Sequence, residues 1–269
     1  PAIPATLAEG GPEEPLATTL ERLCDVLHRI GFHAVFDTTF AADLTVVEEA
    51  TELVERIRHG GVLPMFTSCS PAWVHYVETH APHLIAHLST CKSPQQMAAS
   101  LIKRVLPSRL DPKPRRIVSV SIMPCTAKKA EASDQGEVDF VLTTRELIKL
   151  MERFGIDWAR SVGRRPLDSP FADSTGAGRL FGGTGGVMEA AIRTVHKLIT
   201  DKDLRDGWKI PGARGMGPIR DFSLNIEGLD LGFAVVSGIG HVPALLKDIE
   251  AKRLSVHFVE VMSCPGGCV

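Results

Sequence analysis

Apolar positions along the chain follow two periods: short runs of the kind that make strands, and longer stripes of the kind that make helices. Leu16, Leu20, Leu23, Leu27 and Ile30 recur at helical spacing and predict a helix over 16–30. HAVFDTTF, residues 33–40, reads as a strand. DLTVVEEATELVERIRHGG predicts a helix that Asp43 caps and Gly60-Gly61 ends. VLPMF reads as a strand, and a helix begins over 71–80. SPQQMAASLIKRVL predicts a further helix, and RIVSVSIMPC a β-branched strand that ends on a cysteine. Residues 144–153 are helical in pattern, whereas 155–180, rich in Gly, Pro, Ser and Arg, read as a long loop. GVMEAAIRTVHKLI is a helix, FAVVSG a strand, HVPALLKDIEAK a helix and SVHFVEVMSC a last strand.

Strands that alternate with helices predict an α/β architecture with a mainly parallel sheet. Open parallel sheets place their sites at the carboxyl ends of strands. Here three strand-like runs end in a cysteine motif: Cys69, Cys125, and Cys264 with Cys268. That convergence is the main chemical clue in the residues themselves.

Composition narrows the classes. With 269 residues, 44% of them hydrophobic, the chain can build one large domain or two packed lobes. A net charge of −2 argues against a nucleic-acid partner. The apolar runs are far shorter than the roughly 20 residues of a membrane span. The opening PAIPATLAEGGPEEP lacks the basic start and apolar core of a signal peptide, which predicts a cytoplasmic protein. Six cysteines in a chain of this length, without a secretory signal, point to metal or redox use rather than a disulfide scaffold. A start at a bare Pro and an end at CPGGCV suggest a domain trimmed at both ends.

Each motif has a plainer alternative. In CPGGC the glycines permit left-handed turns that bring two sulfurs toward one centre, which suits an iron–sulfur site, a zinc pair or a disulfide. Cys125 in MPCTAKKAE offers a ligand, with Lys128 or Lys129 in reach of an anion, or is a buried thiol beside two surface lysines. Cys69 reads as a ligand, a proton carrier or a core thiol; a helix N-terminus lowers a thiol pKa and suits the first two. Cys24 and Cys91 read as structural. Glu49, Glu52 and Arg56 share one side of a helix and read as an ordinary salt-bridge ladder. FGGTGGVMEAA is a glycine-rich turn opening a helix, a candidate anion site. GIGHVP is only a fragment of a dinucleotide fingerprint. The ten histidines show no ligand spacing.

FTSCSPAW, MPCTAKKAE and EVMSCPGGC, in that order, resemble the three signatures of iron-only (FeFe) hydrogenases. ADLTVVEEATEL, LSTCKSPQQM and DSPFADSTGAGRLFGGTGGVMEAAIR are similar to that family too, so the resemblance runs over about 1–269 as a single catalytic domain. It implies two lobes, each a mostly parallel sheet flanked by helices, with the metal cluster between them. That cluster, the H-cluster, is a [4Fe–4S] cubane bridged to a two-iron unit carrying CO, cyanide and a dithiolate ligand. The implied reaction is the reversible reduction of protons to hydrogen. The implied partners are maturation proteins and, for electrons, ferredoxin or iron–sulfur and flavin subunits, with no nucleic acid and no membrane.

By the same resemblance Cys125, Cys264 and Cys268 are cubane ligands, and Cys268 bridges to the two-iron unit. Lys128 and Ser93 bond the cyanides. Met123 and Met262 pack on the two-iron unit, and Pro1, Ala2, Pro94, Gln95 and Phe181 line its pocket. Protons pass along Cys69, Glu49, Ser89, Glu52 and Arg56, which turns the salt-bridge ladder into a relay. The sequence departs from the family at its first motif. Two adjacent cysteines are usual there, the first a proton carrier and the second a ligand, but this chain has Cys69-Ser70. Either Cys69 ligates and Ser70 relays protons, or a serine oxygen ligates, or the site is impaired. Cys69 is taken as the fourth ligand because thiolate matches iron better than a hydroxyl. The alternative to a catalyst is a non-catalytic iron–sulfur scaffold or hydrogen-sensing relative that retains only the cubane.

Overall fold

The structure is a computed structural model and describes residues 2–9, 14–111, 113–204 and 210–268. Pro1 lies outside the described residues. In chain order the elements begin with α1 (Ala2–Glu9), α2 (Leu16–Ile30), α3 (Thr38–His59), β1 (Met65–Phe66), α4 (Pro71–His80) and α5 (Pro94–Arg104). There follow β2 (Val120–Met123), α6 (Ala127–Gln135), β3 (Phe140–Thr143), α7 (Thr144–Arg153), α8 (Gly176–Leu180) and α9 (Gly186–Thr200). The chain closes with β4 (Ile219–Ile226), β5 (Leu229–Ser237), α10 (Val242–Glu250) and β6 (Phe258–Met262). Two compact units result: residues 1–41 with 95–174, and residues 42–94 with 175–269.

The second unit is built on a four-stranded sheet of order β1-β6-β5-β4. β1 and β5 both run parallel to β6, while β4 is antiparallel to β5. Alternation along the strands sorts their side chains onto two faces. Met65, Phe233, Val235 and Phe258 pack with Ala50, Leu53 and Val54 of α3 and Met188, Ala191, Ile192 and Val195 of α9. Phe66, Ala234, Val236, Val259 and Val261 pack on the other side with Trp73 and Val77 of α4 and Val242 and Leu245 of α10. Helices thus cover both faces, which is why β6 is buried at every residue and reads as a continuous run rather than an alternating one.

In the first unit β2 and β3 form a two-stranded parallel sheet. Leu7, Leu23, Val26, Leu27, Leu147, Met151 and Ile156 join α1, α2 and α7 in one core. A capping box starts α7: Thr143 accepts from Glu146 N, and Glu146 accepts from Thr143 N.

The α/β reading holds, and local readings need five corrections. HAVFDTTF is not a strand: 33–37 is irregular and α3 starts at Thr38. Its aromatics serve packing instead, since Phe36 and Phe40 both meet Phe171 at 5.3 Å between ring centroids. The α2 stripe is rotated from the leucine spacing, so Leu16 is 49% exposed while Thr19, Arg22 and Cys24 are buried. Strand β4 was missed although Phe222, Leu224 and Ile226 alternate with the exposed Asp221, Ser223 and Asn225, a legible period of two; the hairpin turns through Glu227 and Gly228, both at positive φ. Residues 155–180 are not all loop, for they end in α8.

Asp43 does not cap its own helix, because α3 begins more than a turn earlier. Its carboxylate instead accepts from Thr175 N and Oγ1 at 2.6 Å each and from Gly178 N at 2.7 Å, so it caps α8. Asp43→Ala should therefore cost about 1 kcal/mol, the usual worth of an N-cap. In urea unfolding the midpoint should fall, and amide exchange at Ala177 and Gly178 should speed up. An unchanged midpoint with unchanged exchange would remove the capping role.

Candidate functional site

The CPGGC turn leaves β6 and is held from two sides within the second unit. Gly266 N donates to Ser237 Oγ at 2.9 Å, and Ile239 N to Ser263 O at 3.0 Å. On the other side Thr184 N donates to Gly266 O at 3.0 Å, and Cys268 N to Gly182 O at 2.7 Å. Gly267 has φ +101°, and a Cβ there would lie 2.3 Å from Gly182 O, so only glycine allows this approach. The brace leaves Cys264 and Cys268 exposed on a fixed turn, outside any disulfide. In the first unit Cys125, also free and half-buried, follows the end of β2.

The bracing segment 182–186 is itself anchored by Glu260 of β6, which the sequence reading did not single out. Gly185 N donates to Glu260 Oε1 and Met188 N to Oε2, both at 2.6 Å. The glycine-rich turn read as an anion site therefore takes the protein's own carboxylate at the N-terminus of α9. Burial pushes the Glu260 carboxyl up to about 7, against the pull of the two N–H groups, Arg214 and Arg220.

Cys69 and Ser70 diverge. Cys69 packs against a cluster containing Ala42, Val46, Phe181, Val187, Ala190 and Met262. Two expected pocket residues, Phe181 and Met262, thus share its surroundings. Ser70 Oγ lies 2.7 Å from Ser263 Oγ, next in sequence to Cys264.

The acids of α3 are no surface ladder. Glu49 is 1% exposed, and its Oε2 has no hydrogen-bond partner. Burial pushes this carboxyl up to about 8, with Glu52 and Glu260 adding to the rise. Burial also acts to raise Glu52, but hydrogen bonds from Ser89, Arg56 and Thr90 outweigh it and hold that carboxyl below its ordinary range. Arg56 Nη2 donates to Glu52 Oε1 at 2.6 Å, Thr90 N to Oε2 at 2.9 Å, and Ser89 Oγ to Oε2 at 2.9 Å. Ser89 also acts to lower the Glu49 carboxyl, against the burial that raises it. A hydroxyl has one proton and two lone pairs. The Ser89 proton goes to Glu52 Oε2, and Cys91 N donates to Ser89 Oγ at 3.2 Å. Cys91, read from sequence as structural, contributes Cys91 O as an acceptor for Ser68 Oγ, and burial pushes its thiol up to about 12.

Lys128 sits in the first unit with Nζ 2.9 Å from Glu131 Oε1, both side chains largely covered. Gln95 Nε2 donates to Glu131 Oε2 at 3.0 Å and accepts from Ser121 Oγ through Oε1 at 2.8 Å. Glu131 was missed, although its i+3 spacing from Lys128 was legible. Met123 is half-buried beside Ala99, Ala132, Val138 and Val141, and Ala2 is half-buried at the start of α1. Ser93 and Pro94 are buried, in the second unit. No helix among the described residues is long and apolar enough to cross a membrane.

Exposed thiols on a braced strand-end turn, in one unit with the acids of α3, belong to an α/β protein whose side chains suit thiolate-held metal. A family model described as "Iron only hydrogenase large subunit, C-terminal domain" matches residues 1–269, and the chain belongs to that family. The periplasmic [Fe] hydrogenase large subunit of Nitratidesulfovibrio vulgaris is 41% identical over 263 residues, which cover 94% of this chain and 62% of that protein. The cytosolic Fe-S cluster assembly factor narfl of Xenopus tropicalis is 30% identical over 282 residues, with 93% and 56% covered. Among solved structures, a variant of apo [FeFe]-hydrogenase HydA1 from Chlamydomonas reinhardtii matches with TM-score 0.80 and 36% identity, over 99% of this chain and 75% of that one. The chain therefore spans less than two thirds of these two curated relatives.

Glu49 gives the folded state a pH dependence. Its folded pKa of about 8 lies above the ordinary 4.5, so between those values the folded chain keeps a proton that the unfolded chain has lost. Stability at this site therefore falls as pH rises through that window. Thermal melts of metal-free protein should show a shallower decline over the window for Glu49→Gln than for the parent. Equal slopes would mean that Glu49 titrates normally.

Proposed function

We propose that the chain is the catalytic domain of a hydrogenase that reversibly reduces protons to molecular hydrogen at an H-cluster. The observation that carries this reading is the pair of acids on α3, the Glu49 carboxyl pushed up to about 8 and Glu52 held down by Ser89, Arg56 and Thr90, a pairing suited to a proton route that an iron–sulfur scaffold does not need. The donor set fits the group in chemistry: Cys125, Cys264 and Cys268 are thiols outside any disulfide, and the turn bearing two of them is fixed by backbone hydrogen bonds. When bound, the H-cluster supplies the metal site at which electrons and protons combine.

The residues divide the remaining work. Glu52, kept ionised by Arg56 and Thr90, receives protons, and Glu49, kept neutral by burial, passes them on. Two acids whose environments push their pKa values apart are suited to opposite halves of a transfer. The packing of Cys69 with Met262 and Phe181, on Val46 one turn before Glu49, favours Cys69 as the next proton carrier. The Ser70–Ser263 hydroxyl pair beside Cys264 is then the better fourth corner of the cubane than Cys69. Lys128 and Ser93 would bond anionic ligands of the two-iron unit, and Met123, Met262, Phe181, Pro94, Gln95 and Ala2 are further residues of this reading. Electrons come from ferredoxin or a flavin or iron–sulfur subunit, as the similarity to an NADP-reducing hydrogenase subunit of Solidesulfovibrio fructosivorans supports. A cytoplasmic location and dependence on maturation proteins are part of this reading.

A second reading, a non-catalytic scaffold that keeps only the cubane, draws on Ser70 and on the similarity to the narfl assembly factor. Infrared spectra of anaerobically matured protein separate the two. Intrinsic CO and cyanide bands are expected for the catalyst, and their absence from iron-loaded protein would favour the scaffold.

Two variant series test the roles. After reconstitution with iron and sulfide, Cys264→Ala should lose bound iron while Cys69→Ala keeps its full complement. Equal iron loss in both would restore Cys69 as the fourth ligand. Glu52→Gln keeps shape but cannot exchange the proton in the same way, so hydrogen turnover should fall by about 100-fold or more at unchanged cluster content. The exposed Glu48 and Glu55 are controls, whose glutamine variants should stay close to the parent.

A further inference from the structure

Helix α2 carries Cys24 and His28 one turn apart on the same face. Asp168, far away in sequence, meets them within the first unit. The Cys24 thiol, one His28 ring nitrogen and one Asp168 carboxylate oxygen all lie within 4.8 Å of one another. His28 Nε2 is 2.8 Å from Asp168 Oδ2. The carboxylate is held in place from behind: Val35 N donates to the same oxygen at 2.7 Å, and Asp168 N donates to Val35 O at 3.0 Å. Cys24 Sγ donates to Pro166 O at 3.3 Å and is fully buried, while His28 and Asp168 are half-buried. None of the three belongs to the proposed cluster ligands or to the proton relay.

The plainest account is a His–Asp pin that ties α2 to the 165–168 segment. A pin explains two of the residues but not the thiol beside them. Sulfur, imidazole nitrogen and carboxylate oxygen, brought together by one helix face and one opposing loop, form the mixed donor set that tetrahedral zinc takes, with a fourth position left for a carbonyl or water. The paired backbone contacts of Asp168 with Val35 are outer-shell contacts of the kind that orient a metal-bound carboxylate. Arg165 opposes the site only from one side, with Nη2 3.6 Å from Asp168 Oδ1. The histidines gave no ligand spacing in sequence because the thiol partner of His28 lies at i−4 and the third donor comes from a remote loop.

We infer that Cys24, His28 and Asp168 form a binding site for a single zinc-class divalent cation, separate from the cluster site. On binding, the Cys24 thiol gives its proton to solvent, and the cation bonds to sulfur, to His28 Nε2 and to an Asp168 carboxylate oxygen. The cation then staples α2 to the 165–168 segment and replaces the direct His28–Asp168 hydrogen bond.

The test uses the full chain with its cluster thiols filled by iron and sulfide, and zinc ion as the probe. Zinc K-edge X-ray absorption should report one sulfur and nitrogen or oxygen neighbours, at one zinc per chain. Cys24→Ser should lose the sulfur neighbour, and His28→Ala should weaken zinc binding by at least about 100-fold, more than loss of an outer-shell partner. Zinc should raise the melting temperature of the parent but not of either variant. If parent and Cys24→Ser give the same zinc content and the same absorption spectrum, the triad is a hydrogen-bonded pin and the inference fails. Two or more sulfurs per zinc would put the ion on other cysteines and overturn the site as well. Should Cys24→Ser not fold, Asp168→Asn preserves the side-chain shape: retained zinc in that variant overturns the site, and lost zinc supports it.

Discussion

Two backbone N–H groups at the start of α9 point at one buried carboxylate, Glu260, and the order of the candidate site depends on that contact. A carboxylate with 1% exposure is costly unless its charge is met. Here the helix N-terminus meets it, and in return the glycine-rich segment before α9 cannot drift from β6. That segment supplies Gly182 O and Thr184 N to the CPGGC turn. Through this chain of contacts a buried charge fixes two exposed thiols. The turn can be glycine-rich, and so free to approach Gly182 closely, because its rigidity comes from its neighbours.

The same burial sets the acid chemistry of α3. Glu49 and Glu52 are identical residues three apart on one helix, yet their carboxyls are pushed in opposite directions. Glu49 faces the sheet on the side that carries Glu260 and lacks a partner for one oxygen, so its neutral form is favoured. Glu52 lies nearer the surface, where Arg56, Thr90 and Ser89 all donate to it. One turn of helix thus separates a carboxyl that burial favours as neutral from one that its donors, Ser89 among them, keep ionised. The difference comes from the depth of each residue and the donors around it, not from residue type.

Family membership is clear over the whole chain, but the family includes both hydrogenases and cluster-assembly factors. What separates a catalyst from a scaffold is therefore local. Glu49, Glu52, Arg56 and Ser89 all lie within the second unit, while the first motif carries a hydroxyl, Ser70, that pairs with Ser263. These two features pull in opposite directions, so the identity of the fourth cubane ligand bears directly on which kind of relative this chain is.

Much of this protein was legible in the residues alone. Helical and strand periods gave the α/β class, and three strand-end cysteine motifs gave the metal chemistry, because both depend on neighbours close in sequence. The relay residues Glu49, Glu52 and Arg56 were visible as a spacing, but spacing could not tell a surface ladder from a buried path. Burial is a property of the packed sheet and helices, so only tertiary structure revealed that Glu49 is enclosed. Glu260 looked like one charge in an apolar strand until α9 was seen to begin on it. Asp43 looked like the cap of its own helix and serves α8 instead, since hydrogen-bond partners follow distance in space. Strand β4 was passed over although its alternation of Phe222, Leu224 and Ile226 with Asp221, Ser223 and Asn225 was legible, while its partner β5 was read in part as FAVVSG. Sequence by itself determined the family, the fold class and the set of reactive side chains. Tertiary structure decided which of them are buried, which are paired and which way Cys69 and Ser70 turn, because each of those rests on contacts between segments far apart in the chain.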